Sequence, residues 1–358
     1  MKKYNFSAGP SILPKNVIKE AAKSVSELNN IGLSLLEISH RSQNFIDIMN
    51  EAKRLTKKLL NISNNYEVLF LQGGASLQFY MSALNFSQQN GGGYIDTGTW
   101  SQKAIKESQK VGKTHIIASS ADKSYCYIPK IIKIDKQMDY VHFTSNNTIY
   151  GTQFHDFTHI LNNIKSEKLI CDMSSDIFSK KINVEDFDLI YAGAQKNLGP
   201  AGTTLVIVNK KSITPNKNLP TYLNYNTHID KESMFNTPPV FPIYVAMLTL
   251  KWIDEQGGVK FIQEKNRLKA EIMYNEIDRN DLFSGYTNIE DRSIMNATFN
   301  IKRNDLKETF ENMCHDAGIN GIKGHRSIGG YRASMYNALD IESIKVLTDI
   351  MKQIEKQG

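Results

Sequence analysis

Cysteine is scarce in this 358-residue chain, which contains only Cys126, Cys171 and Cys314. Three thiols without regular spacing do not make a disulfide framework, so we expect reduced cysteines and a cytoplasmic protein. The opening residues, MKKYNFSAGP, lack the apolar segment of a secretory signal, and no hydrophobic run approaches the length of a transmembrane helix. We therefore expect neither export nor a membrane partner.

An excess of one charge is also lacking. Lys plus Arg number 43 against 37 acidic residues, which gives a net charge of +6 without any basic tract. This balance argues against a nucleic-acid partner, although local positive clusters would suit a phosphorylated substrate. With 41% hydrophobic residues the chain has enough apolar material for a large core, and its length predicts two domains.

Two further kinds of site have little support. His155 and His159 are spaced one helical turn apart, as a metal pair would be, but no other ligand clusters near them in sequence, so we predict no metal site. The glycines at 91–93 precede an apolar run instead of following one, which does not fit a dinucleotide-binding turn.

What the chain does have is an alternation of short apolar runs with helical patterns. From YEVLFLQ at 66–72 to TTLVIVN at 203–209, this alternation predicts an α/β domain whose mostly parallel sheet is sandwiched by helices. The last run should be antiparallel, because the connection at 194–202 is too short for a crossover.

The organisation changes near residue 240, where three prolines interrupt the pattern. Helical periodicity follows over 245–277, then a strand, a helix, a turn-rich strand pair within GIKGHRSIGGYRASMY and a closing helix. We predict an N-terminal arm and large domain over 1–255 and a small α+β domain over 256–358. The cleft between them is the expected active site.

Two of the apolar runs end in chemically useful residues. KLICD ends in Asp172, and DLIYAGAQK leads to Lys196. If the runs are neighbouring parallel strands, both side chains emerge at one carboxyl edge of the sheet, where open α/β folds bind ligands. A poorly hydrated lysine can attack a carbonyl, and a carboxylate can keep a pyridine nitrogen protonated, as pyridoxal 5′-phosphate requires. Taken singly, Lys196 could equally be a loop lysine and Asp172 a helix cap.

A glycine turn and an aromatic residue complete this pattern. The strand YEVLFLQ leads through Gly73 into a helical pattern that begins with Gly74, Ala75 and Ser76, an arrangement whose free backbone N–H groups can bind a phosphate. Trp100, in YIDTGTW, could stack on a cofactor ring or could simply belong to the core.

Arginines in two distant segments could bind anionic groups. His40 and Arg41 occupy a probable loop, His325 and Arg326 follow a glycine in the small domain, and Arg332 lies six residues further on. A guanidinium matches the geometry of carboxylate and phosphate oxygens, and histidine adds a further donor. The alternative for each is an ordinary surface residue.

These segments together resemble the phosphoserine aminotransferases, fold-type I pyridoxal-phosphate enzymes of the class V aminotransferase group. The resemblance covers nearly the whole chain and rests on eight motifs, namely NFSAGPSILP, EISHRS, QGGASLQF, DTGTW, CDMSSD, AGAQKNLGPAG, FNTPP and GHRSIGGYRASMYNA.

The resemblance implies a reaction and a set of roles. Glutamate and 3-phosphohydroxypyruvate would exchange an amino group to give 2-oxoglutarate and O-phospho-L-serine in serine biosynthesis. The resemblance leaves open whether the enzyme also catalyses the 4-phosphohydroxythreonine reaction of pyridoxine biosynthesis. Lys196 and Asp172 would be catalytic, and the remaining cofactor contacts would come from Gly74, Ala75, Ser76, Trp100, Thr148 and Gln195.

The same resemblance implies substrate contacts and a homodimer. Arg332 would bind the α-carboxylate, and the distal phosphate or carboxylate would be held by His40, Arg41, His325 and Arg326. Asn236 and Thr237 would reach the cofactor phosphate of the neighbouring subunit, so that the two subunits share their active sites.

One departure and two rivals accompany this interpretation. Some members of the family carry an arginine in place of Ser76. Because this chain lacks that arginine, the sequence leaves open how tightly the distal phosphate is held. A cysteine desulfurase or another aminotransferase of the same fold is the first rival. A desulfurase needs a cysteine in a mobile loop, which none of the three thiols matches. The second rival is a cofactor-free binding protein that keeps the fold.

Overall fold

A computed structural model describes residues 2–164, 167–216 and 218–357. The first two thirds contain the elements β1 (Tyr4–Asn5), α1 (Lys15–Ser26), α2 (Gln43–Leu60), β2 (Tyr66–Leu71), α3 (Gly74–Phe86), β3 (Gly92–Asp96), α4 (Thr99–Gln109), β4 (Thr114–Ser119), β5 (Tyr140–Thr144), β6 (Asn146–Asn147), β7 (Thr152–Gln153), α5 (Thr158–Leu161), β8 (Lys168–Asp172), β9 (Leu189–Gly193), β10 (Thr204–Asn209) and α6 (Tyr225–Asp230). The rest contains α7 (Val240–Glu255), α8 (Gly258–Arg279), β11 (Phe283–Gly285), β12 (Asn296–Ile301), α9 (Lys307–Asp316), β13 (Ile319–Asn320), β14 (Tyr331–Ser334) and α10 (Ile341–Glu355).

The large domain is built on a seven-stranded sheet with the order β2-β10-β9-β8-β5-β3-β4. All neighbouring pairs are parallel except those of β10, which is antiparallel to both β2 and β9. The predicted α/β class is therefore confirmed, as is the antiparallel orientation of the TTLVIVN strand, which a short connection requires.

Helices cover both faces of this sheet. On one face, α2 and α7 pack in a core cluster with residues such as Phe70 and Phe143; on the other, α3 and α4 pack in a cluster with Tyr94 and Tyr191. Coverage on both faces explains why the central strands are continuously apolar instead of alternating. In α2 the apolar side chains recur at helical spacing, and seven of its residues are buried along one side.

The small domain packs α8, α9 and α10 against a three-stranded antiparallel sheet with the order β11-β12-β14. The strand pair predicted within GIKGHRSIGGYRASMY forms in part: Lys323 and Tyr331 make an antiparallel bridge, and the Arg332 N–H donates to the Ile322 carbonyl over 2.7 Å, but the named strand β14 has β12 as its partner. Just before this segment, β13 pairs in parallel with β1 from the N-terminus. Phe6 accordingly belongs to the small-domain core. The boundary at residue 255 stays a prediction, since Val259 of α8 packs in the large-domain core.

Within the described ranges, none of the helices combines the length and apolar character needed to cross a bilayer.

Candidate active site

Lys196 lies just beyond the carboxyl end of β9 and is only 8% exposed. Its Nζ donates a hydrogen bond to the hydroxyl of Thr148 over 2.6 Å. Burial lowers the pKa of Lys196 to about 8, while the negative charge of Asp172 opposes that shift and Arg332 adds to it. A substantial fraction of the amine is therefore neutral near physiological pH, as a nucleophile or a general base requires.

Asp172 is the last residue of β8, the strand that pairs in parallel with β9. Burial raises the pKa of this carboxyl, whereas hydrogen bonds from Ser174 and the charge of Lys196 act in the opposite direction. The Ser174 backbone N–H and hydroxyl both donate to Asp172 Oδ1, over 2.9 and 2.6 Å. These two bonds fix the carboxylate, which shares one sheet edge with Lys196 as the sequence predicts.

A cavity of about 340 Å³ lies at this edge of the sheet. Its wall combines groups from the sheet, the helices, the N-terminal segment and the small domain. The lining residues that carry polar or charged side chains are Ser76, Trp100, Thr144, Asn146, Thr148, Asp172, Ser174, Ser175, Gln195, Lys196, His325 and Arg332. Ten of the fifteen predicted site residues line it: Gly74, Ala75, Ser76, Trp100, Thr148, Asp172, Gln195, Lys196, His325 and Arg332.

The glycine turn after β2 ends at one wall of the cavity. Gly73 and Gly74 have φ angles of 89° and 65°, in the left-handed region that favours glycine, and α3 begins at Gly74. At Gly73 a Cβ atom would also lie 2.5 Å from the Leu77 side chain. The turn therefore directs the first N–H groups of a 13-residue helix, which have no partners within the helix, towards the cavity.

Trp100 lies in the first turn of α4, where its indole lines the cavity. The Lys196 Nζ is 5.3 Å from the centroid of the Trp100 ring. The indole Nε1 is buried and has no hydrogen-bond partner among the described residues. The aromatic face is thus available next to the amine, where a planar ring could stack on it.

Arg332 enters the cavity from β14 of the small domain. Its Nη1 donates to the backbone carbonyl of Thr148 over 3.3 Å, and its buried Nε lacks a partner in the part of the chain that the structure describes. Burial lowers the pKa of Arg332, although a guanidinium stays charged at any physiological pH. A guanidinium with a buried N–H that lacks a partner favours an anionic ligand.

His325 lines the cavity next to Arg332, and its Nδ1 accepts a hydrogen bond from the Ser327 backbone N–H over 3.2 Å. A backbone N–H can only donate, so the proton of the neutral ring lies on Nε2. Burial lowers the pKa of His325, and the nearby charges of Arg332, Arg326 and Lys103 lower it further. His325 is therefore a neutral donor near pH 7.

Five predicted site residues do not line this cavity, although all of them lie within the described ranges. His40 and Arg41 are in the loop between α1 and α2, and Arg326 is exposed beside His325. Asn236 and Thr237 are exposed before α7, where Gln72 Nε2 donates to the Thr237 carbonyl over 2.8 Å. Their roles stay predictions.

Several cavity residues were not singled out from the sequence. Ala8 and Gly9 line the wall, and Ser11 donates to the backbone carbonyls of Gln195, through its N–H over 3.0 Å, and of Lys196, through its hydroxyl. Only the NFSAGPSILP motif pointed to this segment.

A second buried carboxylate was also missed. Asp176 accepts hydrogen bonds from Ser145 and Gln153, and burial raises its pKa while Lys180 opposes that shift. It lies four residues after Asp172 in the CDMSSD motif.

The three cysteines are free, and none of these described residues lines the cavity. Burial raises the pKa of Cys314 to about 12, and it raises that of Cys171 well above the usual range. Cys171 lies in β8 and Cys314 in α9. A desulfurase needs a reactive thiolate at the site, so the arrangement disfavours that rival.

The described residues contain no group of three or more His, Cys, Asp or Glu side chains that could hold a metal ion. His155 and His159 border a separate small cavity of about 150 Å³ together with Lys130.

The groups around the main cavity fit pyridoxal 5′-phosphate. This cofactor needs an amine for its aldehyde, a carboxylate for its ring nitrogen, donors for its phosphate and a flat surface for its ring. Lys196, Asp172, the first turn of α3 and the Trp100 indole supply these four groups in one place. The unpartnered Nε1 of Trp100 and Nε of Arg332 are available to a ligand.

Comparison with known proteins agrees with this geometry. Residues 3–347 match the family model described as aminotransferase class-V. The phosphoserine aminotransferase of Flavobacterium johnsoniae is 52% identical over 360 residues, covering 100% of both chains. The structure of phosphoserine aminotransferase from Bacillus circulans subsp. alkalophilus is 41% identical, with a TM-score of 0.95 and 99% of both chains covered. That of the pyridoxal-phosphate-bound enzyme from Trichomonas vaginalis is 34% identical, with a TM-score of 0.91, and covers 98% of this chain and 100% of its own.

Proposed function

This chain belongs to the class V aminotransferase family and, within it, to the phosphoserine aminotransferases, and from that membership we propose a reaction and a set of residue roles. The enzyme transfers the amino group of glutamate to 3-phosphohydroxypyruvate, which gives 2-oxoglutarate and O-phospho-L-serine. The observation that best supports this assignment is the position of Lys196 and Asp172 at the ends of adjacent parallel strands, in one cavity with Arg332.

The cofactor is pyridoxal 5′-phosphate, which when bound supplies an electron sink for the substrate α-carbon. Lys196 would hold its aldehyde carbon, and Asp172 would accept a hydrogen bond from its protonated ring nitrogen. The residues Gly74, Ala75 and Ser76 would donate to its phosphate from the helix N-terminus. The remaining contacts would come from Trp100, Thr148 and Gln195.

Lys196 is also the proton carrier. Once the substrate amine has displaced it, Nζ would take the proton from the α-carbon of glutamate and pass it to the cofactor carbon that it had held. In the second half of the cycle Nζ would take a proton back from that carbon and donate it to the α-carbon of the new amino acid. Because burial lowers the pKa of Lys196 to about 8, Nζ can be protonated or deprotonated near neutral pH at a small cost in free energy.

Arg332 binds the α-carboxylate, which both substrates share, and its unpartnered Nε supports that role. His325 donates from Nε2 to the distal anionic group, and Arg326 contributes a charge at the mouth of the cavity. Glutamate carries a carboxylate at that end and the keto acid a phosphate, so one subsite serves both in turn.

The active sites are shared within a homodimer. His40, Arg41, Asn236 and Thr237 do not line the cavity of their own subunit, which agrees with a contribution to the neighbouring one. We place the enzyme in the cytoplasm, because its three cysteines are free and buried or partly buried.

The test is to add O-phospho-L-serine to the cofactor-loaded protein and, in parallel, unphosphorylated L-serine. We expect the visible absorbance of the lysine-bound cofactor to disappear only with the phosphorylated compound, while the near-ultraviolet band of the amino form grows. An unchanged spectrum with O-phospho-L-serine would contradict the assigned substrate. A third sample, with 4-phosphohydroxy-L-threonine, tests whether the subsites accept the second phosphorylated amino acid.

Lys196→Ala is the matched variant, with Lys106→Ala in α4 as a control for loss of an exposed lysine. Lys196→Ala should lose both the visible band and transamination. Retention of both would remove Lys196 from its role.

A further inference from the structure

The indole of Trp100 has two amines close to its ring. Lys196 Nζ, which is buried, lies 5.3 Å from the ring centroid, and Lys103 Nζ lies 4.6 Å from it. Lys103 is on the next turn of α4 and is exposed. An exposed cation therefore lies against the indole that forms part of the cavity wall, and it has no part in the roles assigned above.

The loop that carries His325 and Arg326 approaches the same wall. Ile328 of that loop and Trp100 of α4 pack against one apolar cluster, which is formed by Tyr125, Ile149 and Tyr150. This contact holds the loop next to the first turns of α4. The pKa of His325 reflects the proximity, since Arg332, Arg326 and Lys103 all lower it through their charges, after the larger effect of burial.

These cations are not neutralised by the protein. In the described part of the chain, neither Lys103 nor Arg326 nor Arg332 forms an ion pair with an acidic side chain. Among the described residues that line the cavity, only Asp172 is acidic, and it lies at the end of β8 beside the strand that leads to Lys196. The mouth is thus positively charged, which attracts a multiply charged anion more than a singly charged one.

The position of Arg332 determines which end of a substrate reaches the mouth. Arg332 contacts the Thr148 carbonyl, and Thr148 in turn accepts from Lys196, so the α-carboxylate is held close to the reacting amine. The distal group of the substrate must then extend towards His325 and the outer rim. Ser76, in the first turn of α3, lines the same cavity with a hydroxyl that carries no charge.

We propose that Lys103 is a substrate-binding residue that completes the distal phosphate subsite and favours the phosphorylated substrate over glutamate. This proposal rests on the proposed function. Lys103 contributes a cation beside Trp100, and the second negative charge of the phosphate is what its ammonium group recognises. Because Lys103 is exposed, its ammonium group contributes modestly to the binding of the phosphorylated substrate, and this contribution decreases as the ionic strength rises.

The test compares Lys103→Gln with Lys106→Gln, which removes the same charge one turn further along the exposed side of α4. For Lys103→Gln we expect the KM for O-phospho-L-serine to rise about three- to fivefold at low salt, and the KM for glutamate to change by less than about 1.5-fold. Lys103→Arg should restore the native KM, and Lys106→Gln should alter neither value. Added salt should narrow the difference between native protein and Lys103→Gln.

Binding of inorganic phosphate to the cofactor-loaded protein, measured by calorimetry, separates this proposal from the proposed function. We expect Lys103→Gln to weaken phosphate binding about three- to fivefold, whether or not O-phospho-L-serine is turned over. If Lys103→Gln weakens phosphate binding but the native protein does not transaminate O-phospho-L-serine, the assigned substrate is wrong, while the role of Lys103 in binding phosphate is still supported. Unchanged phosphate binding, or equal rises in both KM values, would overturn the role of Lys103.

Discussion

The amine of Lys196 donates to the hydroxyl of Thr148 across 2.6 Å, and the backbone carbonyl of the same threonine accepts from Arg332. One residue thus links the group that moves the proton with the group that binds the α-carboxylate. Any shift of Thr148 changes the position of both at once, which couples substrate binding to proton transfer.

Thr148→Val removes the acceptor of the Lys196 ammonium while keeping the shape of the side chain. The protonated form of Lys196 loses a hydrogen bond, so its pKa should fall below about 8. The measurement is the rate at which cofactor-free protein captures added pyridoxal phosphate as a function of pH, because only the neutral amine attacks. In the native protein the midpoint should lie near pH 8, and in Thr148→Val below it. Thr148→Ser, which keeps the hydroxyl, should retain the native midpoint.

The depressed pKa of Lys196 also predicts a pH-dependent stability of the cofactor-free protein. The unfolded chain holds this proton up to about pH 10.4, whereas the folded chain releases it near pH 8. Between these values the unfolded state binds more protons, so this group makes the fold more stable as the pH rises. Below pH 8 the buried charge destabilises the fold, by at most about 3 kcal/mol.

Lys196→Met, without cofactor, should therefore be more stable than the native protein at pH 7, and the difference should shrink between pH 8 and pH 10. Urea unfolding at several pH values measures it. A difference that stays constant over that range would mean that Lys196 keeps its ordinary pKa.

Arg332→Lys keeps the charge but loses the planar fork. Since both substrates present an α-carboxylate, kcat/KM should fall about a hundredfold for glutamate and for O-phospho-L-serine alike. Steady-state kinetics with each substrate gives the two ratios. A fall confined to the phosphorylated substrate would instead place Arg332 in the distal subsite, where Lys103→Gln has its selective effect.

Asn296 of β12 joins the two domains through buried amides. It accepts from Asn146 Nδ2 over 2.8 Å and donates to Ser334 Oγ over 3.0 Å, and Ser334 is two residues from Arg332 on β14. Asn296→Ala leaves buried partners unsatisfied, so the free energy of unfolding should fall by about 2–3 kcal/mol. Urea unfolding checks this value. Asn162→Ala, at an exposed position, should change it by less than about 0.5 kcal/mol.

The sequence predicted the groups that local pattern can reveal. Asp172 and Lys196 were placed together because two apolar runs each led to a functional residue at a sheet edge, and the structure brings them there. The turn at Gly73 and the antiparallel TTLVIVN strand were predicted for equally local reasons, a glycine pair before a helical pattern and a connection too short to cross over.

Features that depend on distant pairing left no such signal. The strand Tyr4–Asn5 finds its partner at Ile319–Asn320, and a two-residue strand has no periodicity to read. The hairpin that GHRSIGGYRAS resembles is kept only as a short antiparallel contact around Lys323 and Tyr331, whereas the main partner of β14 is β12, which the local pattern could not reveal. Asp176 and Lys103 were overlooked for a similar reason: their significance comes from neighbours far away in the chain.

Trp100 also gives the protein an optical property. The chain has two tryptophans, Trp100 in the cavity wall and Trp252 in α7. A light-absorbing ring stacked on Trp100 would accept its excitation energy, so the intrinsic fluorescence reports whether the cavity is filled. In Trp252→Phe the tryptophan emission comes from the cavity wall alone, so the loading of the cavity with its cofactor can be followed without an added dye.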